Sequence, residues 1–149
     1  MANLRPNLPA MKRLKILLFF LLSITAAGQS FPLSEKASVS VITCGTGLEV
    51  YSLFGHTAIR IKDPERNVDI VYNYGAFDFR TPNFALKFVK GDMQYFVTSS
   101  SFNDFMAQYD YEKRSVAEQV LVIPQEKKQQ LFEELNSVLF SDKRFYTYK

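Results

Sequence analysis

Cys44-Gly45-Thr46-Gly47-Leu48-Glu49-Val50-Tyr51-Ser52-Leu53-Phe54-Gly55-His56-Thr57-Ala58-Ile59-Arg60-Ile61 holds the only cysteine and the only histidine of a 149-residue chain. Gly45 and Gly47 follow the thiol, and Gly55 directly precedes the imidazole. A thiol and an imidazole are the side chains best suited to nucleophilic acyl chemistry near neutral pH. A structural reading stands beside that one. A lone cysteine is most often a small buried hydrophobe, and a lone histidine is often a satisfied structural donor.

From His56 to Lys62 the residues alternate, which predicts a half-buried strand. Thr57, Ile59 and Ile61 take its core face; His56, Ala58, Arg60 and Lys62 take the opposite, polar face. Upstream, Ala37 to Thr43 is rich in β-branched residues and reads as a second strand. Gly45 and Gly47 break it and permit a tight backbone whose N–H groups form an anion-binding nest beside the thiol. Glu49 to Phe54 reads as a short helical turn.

Downstream, Asp63-Pro64-Glu65-Arg66-Asn67 is a turn, and Asp69 to Tyr74 returns as the hairpin partner. An aromatic loop, Gly75 to Pro82, leads to Asn83, a predicted cap for a short helix with Phe84 and Phe88 on one side. Gln94 to Thr98 is a further strand. Ser101 opens a helix with Phe102, Phe105, Met106 and Tyr109 on one face, and Asp104 completes an approximate capping box. Ser115 to Ile123 reads as a strand. Pro124 is placed at the first position of a helix running to Phe140, whose Leu131, Leu135 and Leu139 stripe is core rather than a cofactor box. Phe145 to Tyr148 opens another aromatic strand or turn. Antiparallel strands mixed with short helices argue for a small α+β domain, a sheet flanked by short helices.

The N-terminus reads as an export signal. Met11-Lys12-Arg13-Leu14-Lys15 is basic, Ile16 to Leu22 is apolar, and small residues follow to Gly28. The apolar run is shorter than the roughly 20 residues a membrane span requires. The expected division is a signal peptide over 1–28, a linker over 29–36 and a domain over 37–149. The true start is Met1 or Met11. Four of the 18 basic residues and none of the 15 acidic ones lie in 1–28, so the remainder carries 14 against 15, a net charge of −1. The basic balance of the whole chain belongs to its leader and supports no nucleic-acid partner. In an oxidising compartment a single cysteine is an unpaired thiol, either buried or used. One Cys and one His do not make a structural zinc site by themselves, so neither metal nor cofactor is expected.

The central stretch also carries a family resemblance. Thr43-Cys44-Gly45-x-Gly47-x-Glu49-x-Tyr51-Ser52-x-Phe54-Gly55-His56-Thr57-Ala58-Ile59-Arg60-Ile61 resembles the N-terminal periplasmic domain of Lnb-type lipoprotein N-acyltransferases. Tyr72-Asn73-Tyr74-Gly75-x-Phe77-Asp78-Phe79 with Pro82-Asn83-Phe84, and Tyr109-x-Tyr111-x-x-Arg114-Ser115-Val116-x-Glu118-Gln119, resemble two further blocks of that family. The family is distantly similar to papain-like NlpC/P60 and LRAT-like enzymes. The resemblance implies transfer of a fatty acyl group to the N-terminal cysteine amine of a lipoprotein, with a lipoprotein or phospholipid as acyl donor.

It also implies His56 and Cys44 as catalytic residues, with Asn73 or Asp78 orienting the imidazole and Arg60 and Ser52 as candidate binding residues. Relatives continue into an Asn-Cys motif and membrane helices, so the chain is expected to be incomplete at its C-terminus and to meet the membrane surface through that part. A downstream cysteine is then the rival nucleophile. A cell-wall cysteine amidase or peptidase, and an inactive envelope binding module, are the alternative readings. Export predicts a mature protein beginning at Gln29. Intact-mass measurement on envelope fractions checks this, and a species retaining residues 12–22 would refute it.

Overall fold

The computed structural model describes residues 31–148; the expected signal peptide lies outside the described residues. Six strands form one antiparallel sheet: β1 (Ser38–Cys44), β2 (His56–Asp63), β3 (Val68–Ala76), β4 (Tyr95–Ser101), β5 (Val116–Val120) and β6 (Phe145–Tyr146). Their order is β5-β1-β2-β3-β4-β6. Three helices accompany them: α1 (Phe84–Lys90), α2 (Phe102–Tyr111) and α3 (Gln125–Leu139). The α+β reading of the sequence therefore holds, with two short 3-10 turns at Val50–Ser52 and Asp142–Arg144.

Alternation within the strands decides which side chains meet which helix. Val39, Ile61 and Tyr72 project to one face, where Phe132 and Leu135 of α3 cover them together with Leu33. Ile42, Cys44, Ala58 and Val71 project to the other, beneath Phe105 and Tyr109 of α2. The sequence reading made this second face polar and solvated. That expectation is corrected: the phase of the alternation is right, but α2 lies on the face and buries Ala58 and Arg60. A charged residue at an alternating position marks the second face of a strand, and it leaves open whether water or a helix covers that face.

The element ends follow local chemistry. Ser101 ends β4 and starts α2 with no loop between: its Oγ accepts from the Asp104 N–H (3.1 Å), as the capping pattern predicts, and donates to Asp104 Oδ2 (2.6 Å) where a capping box would use the Ser101 backbone N–H. Asn83 departs from expectation. Its backbone is left-handed (φ 57°) and its side chain makes no capping bond, so it acts as a turn residue. Pro124 caps α3 from outside the helix, with extended backbone, instead of occupying its first position. The segment read as a linker packs onto the body. Ser34 N–H and Oγ–H both donate to the carboxylate of Asp63, which is 0% exposed, and Leu33 N–H donates to Gln129 Oε1. Burial by itself would raise the Asp63 pKa, but these bonds and those from the Glu65 and Arg66 amides outweigh it and hold the carboxyl below its ordinary range.

Leu135 sits at the centre of the α3 contact and is buried. Leu135→Ala is expected to cost about 2–5 kcal/mol of stability. Urea unfolding checks this, and an unmoved midpoint would contradict the packing of α3 on the sheet.

Candidate functional site

Cys44 and His56 are direct cross-strand partners, at the last position of β1 and the first of β2. Directly opposed residues share a face, so the thiol and the imidazole both lie on the α2 side. The intervening loop turns back through Gly55, whose φ is +75°. A Cβ there would stand 2.5 Å from the Cys44 carbonyl oxygen, so glycine is required on both counts. The nest expected around the thiol is not formed. Gly45 N–H donates to Ser115 O (2.8 Å) and Gly47 N–H to Ser52 O (2.9 Å), which commits both amides within the fold.

His56 and Cys44 end in different surroundings. His56 lines an open cleft of about 470 Å³, whereas Cys44 is 2% exposed within the apolar cluster and does not line it. His56 Nε2–H donates to Asn73 Oδ1 at 3.1 Å. With the amide oxygen as acceptor, Nδ1 is left as the basic nitrogen. Burial lowers the His56 pKa below its ordinary 6.5; the Asn73 bond partly restores it, and the charge of Arg114 lowers it further. The shift favours the neutral imidazole. Burial raises the Cys44 pKa, against the opposing influence of the Tyr109 hydroxyl and the Arg114 charge. Its thiol is protonated at rest, as expected in apolar surroundings.

Of the other residues named from sequence, Asn73 reaches the imidazole. Ser52 lines the cleft while its Oγ–H donates to Glu49 O (2.9 Å). Asp78 is turned to Arg80, accepting from its Nη2 at 2.8 Å. Arg60 is not a solvated charge. Its Nε and Nη2 donate to the two oxygens of Asp69 (2.7 Å each), Nη1 donates to Glu118 (2.9 Å), and the guanidinium stacks 3.3 Å from the Phe102 ring centre. Arg60 thereby ties β2, β3, β5 and α2 together, a structural role. Among the described residues no group of three or more His, Cys, Asp and Glu side chains is arranged to hold a metal ion.

Sequence reasoning quoted Arg114 in the third block but gave it no role at the site. Lys113 adopts a left-handed φ of 54°, Arg114 N–H donates to Tyr109 O, and Lys113 N–H donates to Asp110 O. This is the Schellman arrangement without its usual glycine. It returns Arg114 under the helix end, where Nε–H donates to Gly45 O (2.9 Å), Nη1–H donates to Glu112 (2.8 Å) and the guanidinium packs on Tyr109. Nη2 is buried with no partner among the described residues. Arg114 lines the cleft with Gln108, Tyr109 and Glu112, and its charge acts on both Cys44 and His56. The opposite wall is aromatic. Phe77 is its hub, in ring contact with Tyr51, Phe79, Phe84, Phe88 and Tyr95. A β-bulge between Asn73 and Ala76 ends the regular β3–β4 pairing just before this hub.

The family model described as the Lnb N-terminal periplasmic domain matches residues 29–149. The chain belongs to that family. No curated protein and no solved structure matches it. The three stretches singled out in the sequence converge on one cleft: the first supplies His56 and Ser52, the second Asn73 and Phe77, the third Tyr109 and Arg114.

His56 is the only histidine, so its ring proton resonance reports this site alone. It is expected to titrate below pH 6.5. Arg114→Gln removes a downward influence and moves the midpoint up; Asn73→Ala removes an upward one and moves it down. Between the folded pKa and 6.5 the folded state binds fewer protons than the unfolded one, so this group's contribution to stability is present above pH 6.5 and is lost as pH falls from there through the lower folded value. NMR titration of the three proteins checks the directions, and a wild-type midpoint above 6.5 would contradict them.

Proposed function

We propose that the cleft is the acyl-transfer site of a lipoprotein N-acyltransferase, moving a fatty acyl group to the α-amino group of a lipoprotein's N-terminal cysteine. The observation that carries this reading is His56, held by Asn73 in a cleft that aromatic rings also line. A general base needs a free ring nitrogen and a fixed orientation within reach of the proton it takes. Here the Asn73 bond fixes the ring and leaves Nδ1 to accept. The aromatic wall around Phe77 suits an acyl chain, and the wall bearing Arg114 suits the polar part of a lipid or peptide.

In this mechanism His56 takes the proton of an attacking thiol as its sulfur forms a bond to the acyl carbonyl carbon. The proton returns to the departing alkoxide, leaving an acyl thioester. The lipoprotein amine then attacks the thioester carbon, His56 accepts the amine proton, and the thiol is regenerated. Cys44 is the thiol the described residues offer, one cross-strand position from His56. Its burial means that it serves only if the β1 end opens locally. The acyl donor is a phospholipid or a lipoprotein, reached from the periplasm with the membrane surface alongside.

A second reading, a cysteine amidase of the cell envelope with water as the acceptor, draws on the polar wall of Gln108, Glu112 and Arg114. His56→Ala in the full chain is expected to lower acyl transfer by about 10²–10⁴-fold with the fold retained. Mass spectrometry of the lipoprotein N-terminus measures the transfer. Retained transfer would remove the catalytic reading and leave an envelope binding module; lost peptide hydrolysis with no acyl transfer in the wild type would favour the amidase. Cys44→Ser abolishes transfer if Cys44 is the nucleophile, and spares most of it if Cys44 is only a core residue.

A further inference from the structure

The segments that carry Tyr51, Phe77 and Phe79 into the cleft, and the helix α1 behind them, also expose large apolar side chains, which form its rim. Leu48 is 100% exposed and Phe54 93%, on the loop joining β1 to β2, and Val50 and Leu53 beside them are also exposed. Phe79 continues the rim across the Tyr51–Phe79 ring contact (5.1 Å), and Phe79–Phe84 (5.3 Å) carries it to α1. There Leu86 and Val89, one helical turn apart, are exposed while Phe84 and Phe88 pack inward on Phe77. Scattered single apolar residues on a surface need no explanation, but a contiguous set does.

We infer that this rim, Leu48, Phe54, Phe79, Leu86 and Val89, is a docking surface for a phospholipid bilayer, which sets the cleft against the lipid interface. Two features favour lipid over a protein partner. Leu48 and Phe54 stand out almost fully from a loop, a shape that enters acyl chains one side chain at a time, whereas protein interfaces bury a packed and shape-matched core. Lys87 and Lys90 lie on α1 beside Leu86 and Val89, where their long stems cover apolar surface and their ammonium groups reach headgroup phosphates. Of the remaining charges at the rim, Arg80 is paired with Asp78, and Glu49 and Asp92 are exposed. The inference extends the acyl-transfer reading by placing the acyl donor in the membrane beside the aromatic wall, and binding is measurable without turnover.

The chain has no tryptophan, so a single introduced one reports its own surroundings. Phe54→Trp in the full chain is expected to shift its emission to the blue on adding phosphatidylethanolamine–phosphatidylglycerol vesicles and to be quenched by brominated acyl chains. Phe140→Trp, exposed at the end of α3 on the other side of the sheet, should stay unshifted. Adding Leu48→Asp to Phe54→Trp should weaken the partitioning by about tenfold or more. An unshifted Phe54→Trp, or equal shifts at both positions, would overturn the inference. So would a blue shift that grows with protein concentration without vesicles, which would assign the rim to a second copy of the chain. Vesicle insertion by a chain that transfers no acyl group would leave this surface standing and remove only the catalytic reading.

Discussion

Seven cross-strand pairs join β1 to β2, from Ser38 opposite Lys62 to Cys44 opposite His56, and everything at the site depends on that register. A slip of one residue would send His56, Ala58 and Arg60 to the α3 face and bring Thr57, Ile59 and Ile61 beneath α2. Two independent constraints prevent it. Ile61 is wholly buried against Val39 and Tyr72 on one face, and Arg60 on the other is claimed by Asp69 and Glu118 together. Gly55 then makes the turn that lets the first residue of β2 meet the last residue of β1 without collision. The imidazole is placed by sheet geometry before any contact of its own is made.

Two arginines on the α2 face show how the same side chain takes opposite roles. Arg60 has its donors matched by two carboxylates and its plane stacked on Phe102, so its charge is neutralised where it stands. A buried pair of this kind adds specificity more surely than stability, because desolvation opposes the attraction. Arg114 has one carboxylate, one carbonyl and a nitrogen with no partner among the described residues. Paired with Glu112 alone among the described carboxylates, it still acts on its neighbours, adding to the lowering of the His56 pKa and opposing the rise at Cys44. The first arginine builds the sheet, and the second sets the electrostatics of the cleft.

The aromatic residues divide along similar lines. Phe105 and Tyr109 close the α2 face, while Phe77 gathers rings from the β1–β2 loop, α1 and β4 into the wall of the cleft. The wall continues outward at Phe79, which contacts Tyr51 and is itself exposed, with the Asp78–Arg80 pair beside it.

Much of this was legible in the residues themselves. Period-two alternation located β2, β-branched content located β1, and the turn after β2 placed β3; the Ser101–Asp104 pair located the start of α2, and the spacing of Leu131, Leu135 and Leu139 located the face of α3 that meets the sheet, because these patterns express contacts within a few residues. The singularity of Cys44 and His56 drew attention to one end of the β1–β2 pair, where the two residues stand opposite each other. Only the tertiary structure decided what covers the His56 face, that Asn73 and not Asp78 holds the ring, and that Arg60 is structural while Arg114 is the charge at the cleft. It also separated Cys44, within the apolar cluster, from His56, at the water. The reason is physical: a side chain's partners across a sheet or beneath a helix come from segments tens of residues away. Arg60 meets Glu118, and Arg114 meets Gly45, only once the sheet has closed.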